Sequence, residues 1–541
     1  ATGSIFGDTF NLIDENNNTI TGNGGTDTVQ VVTNVATDDT IVITRVGTDV
    51  TVTGSGIGTD NYNGIDTVNV SGNTGNDSFE LTDANDNTIS GGDGTDTITV
   101  YSEDATGDNI GIRRTGTSVN VSSTSGSSIG NDIYLDIEQV NVSGSTGDDT
   151  FTIFDELDNI IDGGDGNDTV NYTDVSVDLV IDSSAIPAYF VVSGTGIGTD
   201  VLISIENINT GNGNDTFIVQ DENDNYVDGG GGNDTANVTM EGIYSGIITI
   251  IRSPADTVTV EGSGFGTDTY VNIEQVNVTS SSGDDIFRPD DDQGNDYDAG
   301  AGTDWIDYTF LSTSVNVNLA AGTASGDGAD TLTGFENISG TTFGDSLTGD
   351  TGDNVIRGGA GNDTINGGAG TDTFDESQAT TAMNVIFNSG SGISISGGQG
   401  FDSLSNIENI TTGSGNDTIN LTDAVANIVD VNGGTDTINV SNASTTSTLT
   451  VTRTGNNVVL TDGATGFGND EYYDVEQVNI TGGTGADNFT LVDNADNVID
   501  GDTGTDSVSY AGAGNAITVT FDTTTTADDG GTYVGTDTLV S

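Results

Sequence analysis

Residues 358–366 read GGAGNDTIN and residues 367–375 read GGAGTDTFD, two consecutive copies of the pattern G-G-x-G-x-D-x-U-x, in which U is a large apolar residue. The glycines let the backbone turn tightly and direct carbonyl oxygens inward. Asp363 and Asp372 add one carboxylate to each turn, and the apolar residue that follows begins a short strand. This tandem predicts stacked turns that hold Ca²⁺, an ion that prefers oxygen ligands.

A longer unit repeats along the whole chain. The aspartate of a G-x-D-x-(F/I/L) motif, here called the first landmark, recurs at Asp8, Asp77, Asp149, Asp215, Asp285, Asp345, Asp417 and Asp487. Successive spacings are 69, 72, 66, 70, 60, 72 and 70 residues. They divide the sequence into eight units of about 70 residues that start near residues 7, 75, 147, 213, 283, 344, 415 and 485.

Two further aspartates mark each unit. The second landmark follows the first by 19 residues, at Asp27, Asp96, Asp168, Asp234, Asp304, Asp436 and Asp506, and by 18 residues at Asp363 in the sixth unit, where Asp372 belongs to the tandem. The third landmark is a G-x-D that precedes an I-E-x-(V/I)-N strand, at Asp60, Asp132, Asp200, Asp268, Asp330, Asp402 and Asp470. Carboxylates at fixed positions in glycine turns are candidate metal ligands, although aspartate also caps such turns without any metal.

Spacings of 15 to 19 residues match one solenoid rung of two short strands and two turns. The stretch between the second and third landmarks, for example residues 28–56, is expected to hold two more rungs with weaker turns. The sequence therefore predicts an all-β protein, a parallel β-solenoid or β-roll of about 30 rungs with Ca²⁺ at the glycine–aspartate turns. Residues 1–541 are expected to form one continuous solenoid.

Other recurring residues fit the same arrangement. An apolar ladder is expected in the core, formed by Phe10, Phe79, Phe151, Phe217, Phe287, Leu347, Ile419 and Phe489. An asparagine ten residues after most first landmarks marks the opposite turn, which we interpret as a solvated face or a weaker second line of Ca²⁺ sites. Tyrosines after the third landmark, such as Tyr62 and Tyr134, are expected to shield a strand edge or to stack on carbohydrate.

The tandem resembles the RTX, or hemolysin-type, calcium-binding repeat, and residues 314–350 resemble the degenerate flanks of such repeats. This resemblance implies an extracellular parallel β-roll loaded with several Ca²⁺ ions. The RTX family also includes toxins and enzymes, but their chemistry lies in separate domains, and no such domain is visible in this sequence.

The composition excludes several classes of protein. There are 85 acidic and 7 basic residues, a net charge of −78, and the chain lacks cysteine, histidine and lysine. Such a chain repels nucleic acid and anionic lipid, and it needs cations to offset its own repulsion. No apolar run is long enough to insert into a membrane. The usual bases and nucleophiles are missing and no unit breaks the repeat, so we expect no catalytic residues and no enzyme activity.

These observations predict a secreted or cell-surface structural protein whose folding requires Ca²⁺. It would be a surface-layer or filament subunit or an adhesin stalk that associates with itself, head-to-tail or laterally, because neither end shows a polar capping segment. The alternatives are a binding module with a carbohydrate-, ice- or cell-binding face, with cell-surface glycans as partners, and an accessory β-roll of a secreted toxin or enzyme.

Overall fold

The computed structural model describes residues 1–13, 16–33, 38–55, 57–82, 84–102, 107–124, 129–185, 189–240, 245–253, 256–262, 266–388, 392–397, 399–421, 426–441, 449–462, 469–484, 486–492, 495–512, 518–520, 525–528 and 537–540. Every regular element among them is a β-strand. The start assigned to the eighth repeat, residue 485, lies outside the described residues. None of the described segments forms a helix long and apolar enough to cross a membrane.

The chain divides into two compact units, residues 1–242 with 251–279 and residues 243–250 with 280–541. The expected single continuous solenoid stays a prediction. The strands that begin before residue 280 are β1 Thr9–Leu12, β2 Thr19–Thr21, β3 Thr28–Val32, β4 Thr40–Val46, β5 Asp49–Gly54, β6 Gly58–Asn63, β7 Thr67–Ser71, β8 Ser78–Thr82, β9 Thr88–Ser90, β10 Thr97–Tyr101, β11 Asn109–Thr115, β12 Ser118–Ser123, β13 Asn131–Leu135, β14 Gln139–Ser143, β15 Thr150–Phe154, β16 Ile160–Asp162, β17 Thr169–Asn171, β18 Leu179–Asp182, β19 Tyr189–Gly194, β20 Gly198–Ile203, β21 Asn207–Asn209, β22 Thr216–Val219, β23 Tyr226–Asp228, β24 Thr235–Thr239, β25 Ile247–Ser253, β26 Thr257–Gly262, β27 Gly266–Val271 and β28 Gln275–Thr279.

The strands after residue 280 continue the same pattern. They are β29 Ile286–Asp290, β30 Asp296–Asp298, β31 Trp305–Asp307, β32 Asn316–Asn318, β33 Thr323–Ser325, β34 Ala329–Thr333, β35 Asn337–Ser339, β36 Ser346–Thr348, β37 Val355–Arg357, β38 Thr364–Asn366, β39 Thr373–Asp375, β40 Met383–Asn388, β41 Gly392–Gly397, β42 Gly400–Ser405, β43 Asn409–Thr411, β44 Thr418–Leu421, β45 Ile428–Asp430, β46 Thr437–Ser441, β47 Leu449–Thr454, β48 Asn457–Asp462, β49 Asn469–Tyr473, β50 Gln477–Thr481, β51 Asn488–Val492, β52 Val498–Asp500, β53 Ser507–Ser509, β54 Thr518–Thr520, β55 Thr525–Asp528 and β56 Asp537–Val540.

Each unit is a roll of two sheets whose strands pair mostly in parallel. In the first unit, for example, β1, β3, β7 and β9 pair in that order in one sheet, while β4, β8, β10 and β14 pair in the other. In the second unit the tandem nonapeptides lie in opposite sheets, because β36 pairs with β38 and β37 pairs with β39. The chain thus alternates between sheets as it winds, and the expected β-roll is confirmed.

The stretch between the second and third landmarks differs from the expectation. It forms a three-stranded antiparallel meander within one sheet, as in β4–β5–β6, instead of two further rungs. Gly47, with φ 65, lies in the two-residue loop between β4 and β5, and Gly116 (φ 68) and Gly455 (φ 62) have the same place in other repeats. A loop of two residues with positive φ returns the chain antiparallel. The expectation of four rungs per repeat is therefore corrected.

This meander changes the winding of the roll. In the first repeat β1, β2 and β3 alternate between the sheets, β4–β6 all lie in one sheet, and β7 lies in the other, which gives five segments or two and a half turns. An odd number of half-turns places the first landmarks of successive repeats on opposite sheets. Asp8 accordingly precedes β1 in one sheet and Asp77 precedes β8 in the other.

The core lies between the two sheets of each unit. Strands alternate buried and exposed residues, as β-strands with one covered face do; in β3, Val29 and Val31 are 0% and 2% exposed. Seven members of the expected apolar ladder are buried, namely Phe79, Phe151, Phe217, Phe287, Leu347, Ile419 and Phe489. Phe10 is half-buried, in the strand that pairs only with β3 among the described strands.

Candidate metal sites at the aspartate turns

The second-landmark aspartates begin a hydrogen-bonded column that links consecutive turns. The backbone N–H of Asp77 donates to Oδ1 of Asp96 at 2.7 Å, although the two residues are 19 apart in sequence. We call this contact, from a first-landmark amide to a second-landmark carboxylate, the aspartate ladder. It recurs as Asp8 to Asp27 (2.8 Å), Asp149 to Asp168 (2.7 Å), Asp215 to Asp234 (2.7 Å), Asp285 to Asp304 (2.7 Å), Asp345 to Asp363 (2.8 Å), Asn354 to Asp372 (2.8 Å), Asp417 to Asp436 (2.6 Å) and Asp487 to Asp506 (3.0 Å).

A conserved geometry extends the ladder by one more acidic residue in most repeats. The backbone N–H of Asp96 donates to Oε2 of Glu138 at 2.7 Å, and Glu138 is the glutamate of the I-E-x-(V/I)-N strand. Sequence reasoning missed these acids as part of the turn, although their fixed position in the motif was a usable signal. The corresponding acceptors are Asp66, Glu206, Glu274, Glu336, Glu408 and Glu476.

The other oxygen of the second-landmark carboxylates is buried without a donor. Oδ2 has no hydrogen-bond partner in Asp27, Asp96, Asp168, Asp234, Asp304 and Asp372, whose side chains are 0–1% exposed. Asp363 and Asp436 are equally buried, and each has a second acid nearby, Asp402 and Glu476 respectively. Because burying an unpaired carboxylate oxygen is costly, these positions call for a cation. Asp506 differs, since its side chain is exposed.

A backbone carbonyl converges on each of these oxygens. A Cβ built on Gly91 would lie less than 3.0 Å from both Oδ2 of Asp96 and the carbonyl oxygen of Asp136. Asp136 has φ 51, the left-handed conformation that turns this carbonyl inward. The same pair of oxygens surrounds Gly163 (Asp168 and Ser204) and Gly367 (Asp372 and Asn406). Glycine therefore leaves open an oxygen-lined space that any side chain would fill.

Stacked turns contribute further carbonyl oxygens. A Cβ on Gly92 or Gly94 would lie less than 3.0 Å from the carbonyl oxygens of Asn73 and Gly75 in the preceding turn. In the tandem, Gly368 and Gly370 stand in the same way against the turn at residues 350–352. The glycines of the G-G-x-G-x-D pattern are thus required wherever one turn lies on the next.

Burial gives these carboxylates an electrostatic need for positive charge. Desolvation, together with the neighbouring acids, raises the pKa of Asp168, Asp234, Asp304 and Asp436 to about 6 and that of Asp363 to about 7. The pKa values of Asp96 and Asp372 are raised as well, again mainly by burial. A bound cation would favour the ionised form and reverse these shifts.

The donor set of these turns fits Ca²⁺. It consists of carboxylate and backbone carbonyl oxygens, the ligands of a hard cation that takes six to eight oxygens. No group of three or more His, Cys, Asp or Glu side chains that could hold a metal occurs in the described part of the chain. Most ligands would therefore come from backbone carbonyls. The second-landmark aspartates would hold the ion and neutralise part of its charge, and the ion would tie one turn to the next.

The first-landmark aspartates have donors from the protein. In Asp77, Oδ1 accepts the N–H of Asp39 at 3.0 Å and Oδ2 accepts the N–H of Asn73 at 3.2 Å. Backbone amides likewise bind both oxygens of Asp149, Asp345 and Asp487. One oxygen of Asp8, Asp215, Asp285 and Asp417 also accepts a backbone amide. These contacts make the first landmark a turn cap, and its role as a metal ligand stays a prediction.

The third-landmark aspartates lie at the opposite turn, beside buried tyrosines. In Asp200, Oδ1 accepts the N–H of Asn159 at 3.0 Å, and Oδ2 accepts the hydroxyl of Tyr172 at 2.8 Å. The same two donor types reach Asp60, Asp132 and Asp268, whose hydroxyl donors are Tyr62, Tyr134 and Tyr270. A backbone amide also donates to Asp330, Asp402 and Asp470. Where a tyrosine is present, protein groups occupy both carboxylate oxygens.

This arrangement corrects the expected role of the tyrosines. Tyr62, Tyr134, Tyr270 and Tyr472 are 0–1% exposed, so they neither shield a strand edge nor offer a carbohydrate-stacking surface. In all four the tyrosine follows the aspartate by two residues, which places both side chains on the same, inner face of a strand. The D-x-Y spacing was the signal that would have identified the pair.

Comparison with known families agrees with these turns. No curated protein matches the chain at a significant level. A family model of the RTX calcium-binding nonapeptide repeat matches four copies, in residues 14–30, 157–173 and 339–374. The matched segments contain Asp27, Asp168 and the tandem with Asp363 and Asp372. The chain carries RTX calcium-binding nonapeptide repeats, whose family binds several Ca²⁺ ions, and the repeats form a β-roll.

Proposed function

We propose that the protein is a calcium-dependent structural protein of the cell surface or extracellular space, as a surface-layer or filament subunit or an adhesin stalk. The observation that carries this proposal is the aspartate ladder, which recurs in every repeat of both units with a buried second-landmark carboxylate in all but the last. A chain built from one such contact is a scaffold. RTX repeats are typical of secreted proteins, which supports the extracellular setting.

Calcium supplies the stability that the chain lacks alone. A net charge of −78 opposes compaction, and the unpaired second-landmark oxygens add a local penalty at each turn. Each ion held between two turns offsets both effects, so that metal binding is part of the folding free energy. Extracellular modules of this kind work with ligand concentrations of about 10⁻⁴–10⁻³ M Ca²⁺.

Self-association, head-to-tail or lateral, is part of the proposal and would depend on the same ion. Copies that each carry a charge of −78 repel one another unless cations neutralise them. The proposal also includes the absence of catalysis by this chain. In support, the aspartates of all three landmarks hold backbone amides and cap turns, so these carboxylates serve the fold.

Light scattering and negative-stain electron microscopy, each with millimolar Ca²⁺ and after chelation, test the proposal. We expect ordered polymers or sheets in Ca²⁺ and a poorly folded chain, with reduced strand signal in circular dichroism, after chelation. Mg²⁺ at equal ionic strength is the control for general screening. A folded monomer at all Ca²⁺ concentrations would overturn self-assembly, and a full strand signal without divalent ions would overturn calcium dependence.

The alternative, a module that binds carbohydrate, is favoured by one observation. A cavity of about 570 Å³ lies beside Trp305 in the second unit, and polar side chains line most of its wall. A stalk that displays such a site would combine the two functions.

A further inference from the structure

The cavity beside Trp305 lies in the part of the chain that departs most from the repeat. Its wall includes Arg288, Trp305, Asp307, Arg357 and Gln378. Arg288 and Arg357 are two of the seven basic residues of the chain, and Trp305 is its sole tryptophan. In sequence these residues are up to 90 positions apart, which is why no unit shows an obvious cluster. The roll brings them together on one face.

Trp305 replaces a small residue at a fixed place in the repeat. The position after the second landmark is threonine at Thr28, Thr97, Thr169, Thr235, Thr373 and Thr437. In β31 the next residue, Ile306, is fully buried in the core, so the indole lies on the outer face of the sheet. The guanidinium carbon of Arg357 lies 4.1 Å from the centre of the indole ring, which fixes one face of the ring.

Paired charges surround a gap on this outer face. Arg288 Nε lies 2.9 Å from Asp307 Oδ2, and Arg357 Nη2 lies 2.8 Å from Asp375 Oδ2. Ser339 in β35 pairs with Asp307 on one side and Arg357 on the other. Its short side chain, 3% exposed, leaves the middle of this row open and forms part of the cavity wall.

The chemistry of the wall selects among ligands. Both guanidinium groups already have carboxylate partners, so they attract anions weakly, and a chain of charge −78 disfavours anionic ligands further. Two guanidinium groups in the wall also disfavour a cation. What remains is a set of donors (Arg288, Arg357 and Gln378) and acceptors (Asp307 and Asp375) around an indole.

We propose that this cavity binds one sugar ring of a neutral oligosaccharide. The hydroxyls of a pyranose both donate and accept hydrogen bonds, which matches the mixed wall, and its C–H face can lie against Trp305 and Ile286. A volume of about 570 Å³ is within the range of small-molecule sites. The aspartate ladder and the structural function do not depend on this site, so each can fail without the other.

Because Trp305 is the sole tryptophan, its emission reports on this site alone. The intact protein in millimolar Ca²⁺ is titrated with neutral mono- and disaccharides, and a glycan array is screened in parallel. We expect a saturable change in emission with a subset of neutral sugars. The absence of saturable binding to any neutral glycan on the array, or binding to anionic glycans alone, would overturn the proposal.

Two variants separate the site from a general effect of the indole. Trp305→Thr restores the residue that other repeats have and should weaken glycan binding by at least about tenfold, with calcium-dependent folding unchanged. Thr437→Trp added to Trp305→Thr places the indole at the matching position of a repeat where no arginine stands opposite it in the pairing strands β44 and β50. This double variant should not regain binding. Equal binding by the native protein and either variant would contradict the proposed site.

Discussion

The backbone N–H of Asp77 lies 2.7 Å from Oδ1 of Asp96, while Oδ2 of Asp96 is buried without a hydrogen-bond partner. One carboxylate thus does two jobs. Its first oxygen joins two turns of the roll through the backbone, and its second oxygen faces a space that only a cation can satisfy. The third-landmark Asp200 shows the contrasting case, because Asn159 and Tyr172 occupy both of its oxygens.

This asymmetry predicts the effect of Asp96→Asn. The amide can still accept the hydrogen bond from Asp77, but it removes the charge that would bind the ion. We expect at least about a tenfold weaker affinity at this turn, which corresponds to about 1.4 kcal/mol, by calorimetric Ca²⁺ titration. Asp93→Asn is the matched control, because Asp93 is exposed in the same turn and removes the same charge. Equal losses in both variants would show that net charge, rather than this ligand, sets the affinity.

Gly91→Ala tests the oxygen-lined space itself. The new Cβ would lie less than 3.0 Å from Asp96 Oδ2 and the Asp136 carbonyl oxygen, so it would compete with the ion for the same volume. We expect weaker Ca²⁺ binding and a melting temperature in Ca²⁺ lower by several degrees, the size of effect of a loss of about 1–3 kcal/mol. Gly433→Ala is the control, since a Cβ there would contact nothing within 4 Å. Should Gly91→Ala bind Ca²⁺ normally, the ion must lie elsewhere.

The sequence predicted the roll and its second-landmark column because both follow from spacing. A rung of 19 residues brings Asp77 onto Asp96, and strands β8 and β10 pair in that register. The meander β4–β5–β6 escaped prediction because strands of either direction alternate apolar and polar residues in the same way. Only the glycine in the two-residue loop distinguishes them, and Gly47 was that signal.

Which aspartates are candidate ligands could not be read from the sequence. All three landmarks present the same residue type in a glycine turn. Their difference lies in donors that come from distant segments, such as Tyr172, 28 residues before Asp200, or Asp39, 38 residues before Asp77. The Trp305 cavity was missed for the same reason, because its arginines and indole meet only through the winding of the chain.

Tyr172→Phe tests the assignment of the third landmark. Removing the hydroxyl leaves Oδ2 of Asp200 buried without its donor, which costs about 1–3 kcal/mol of unfolding free energy. The number of bound Ca²⁺ ions should not change, since this turn is closed by protein groups. Thermal unfolding and equilibrium dialysis measure the two effects. Tyr473→Phe, whose hydroxyl donates to Glu471 at the surface, should alter neither. A lower ion count in Tyr172→Phe would place a metal at the third landmark.

Proton uptake should replace calcium in part. Burial raises the pKa of Asp168, Asp234 and Asp304 to about 6 in the metal-free fold, above the value of 3.8 for an exposed aspartate. Between these values the folded chain binds more protons than the unfolded chain, so the unfolding free energy is larger at low pH and falls as pH rises through about 6. Metal-stripped protein should therefore melt at a higher temperature at pH 5 than at pH 7.5.

The same shift predicts that Ca²⁺ displaces protons from these turns. Near pH 6 a fraction of these carboxyls is protonated, and ion binding requires the ionised form, so adding Ca²⁺ to a weakly buffered solution should acidify it. At pH 8 the groups are already ionised and the release should vanish. Asp168→Asn combined with Asp234→Asn should reduce the release at pH 6, whereas Asp165→Asn, at an exposed position, should not. Proton release that is equal at pH 6 and pH 8, or unchanged in the double variant, would show that these aspartates do not hold the ion.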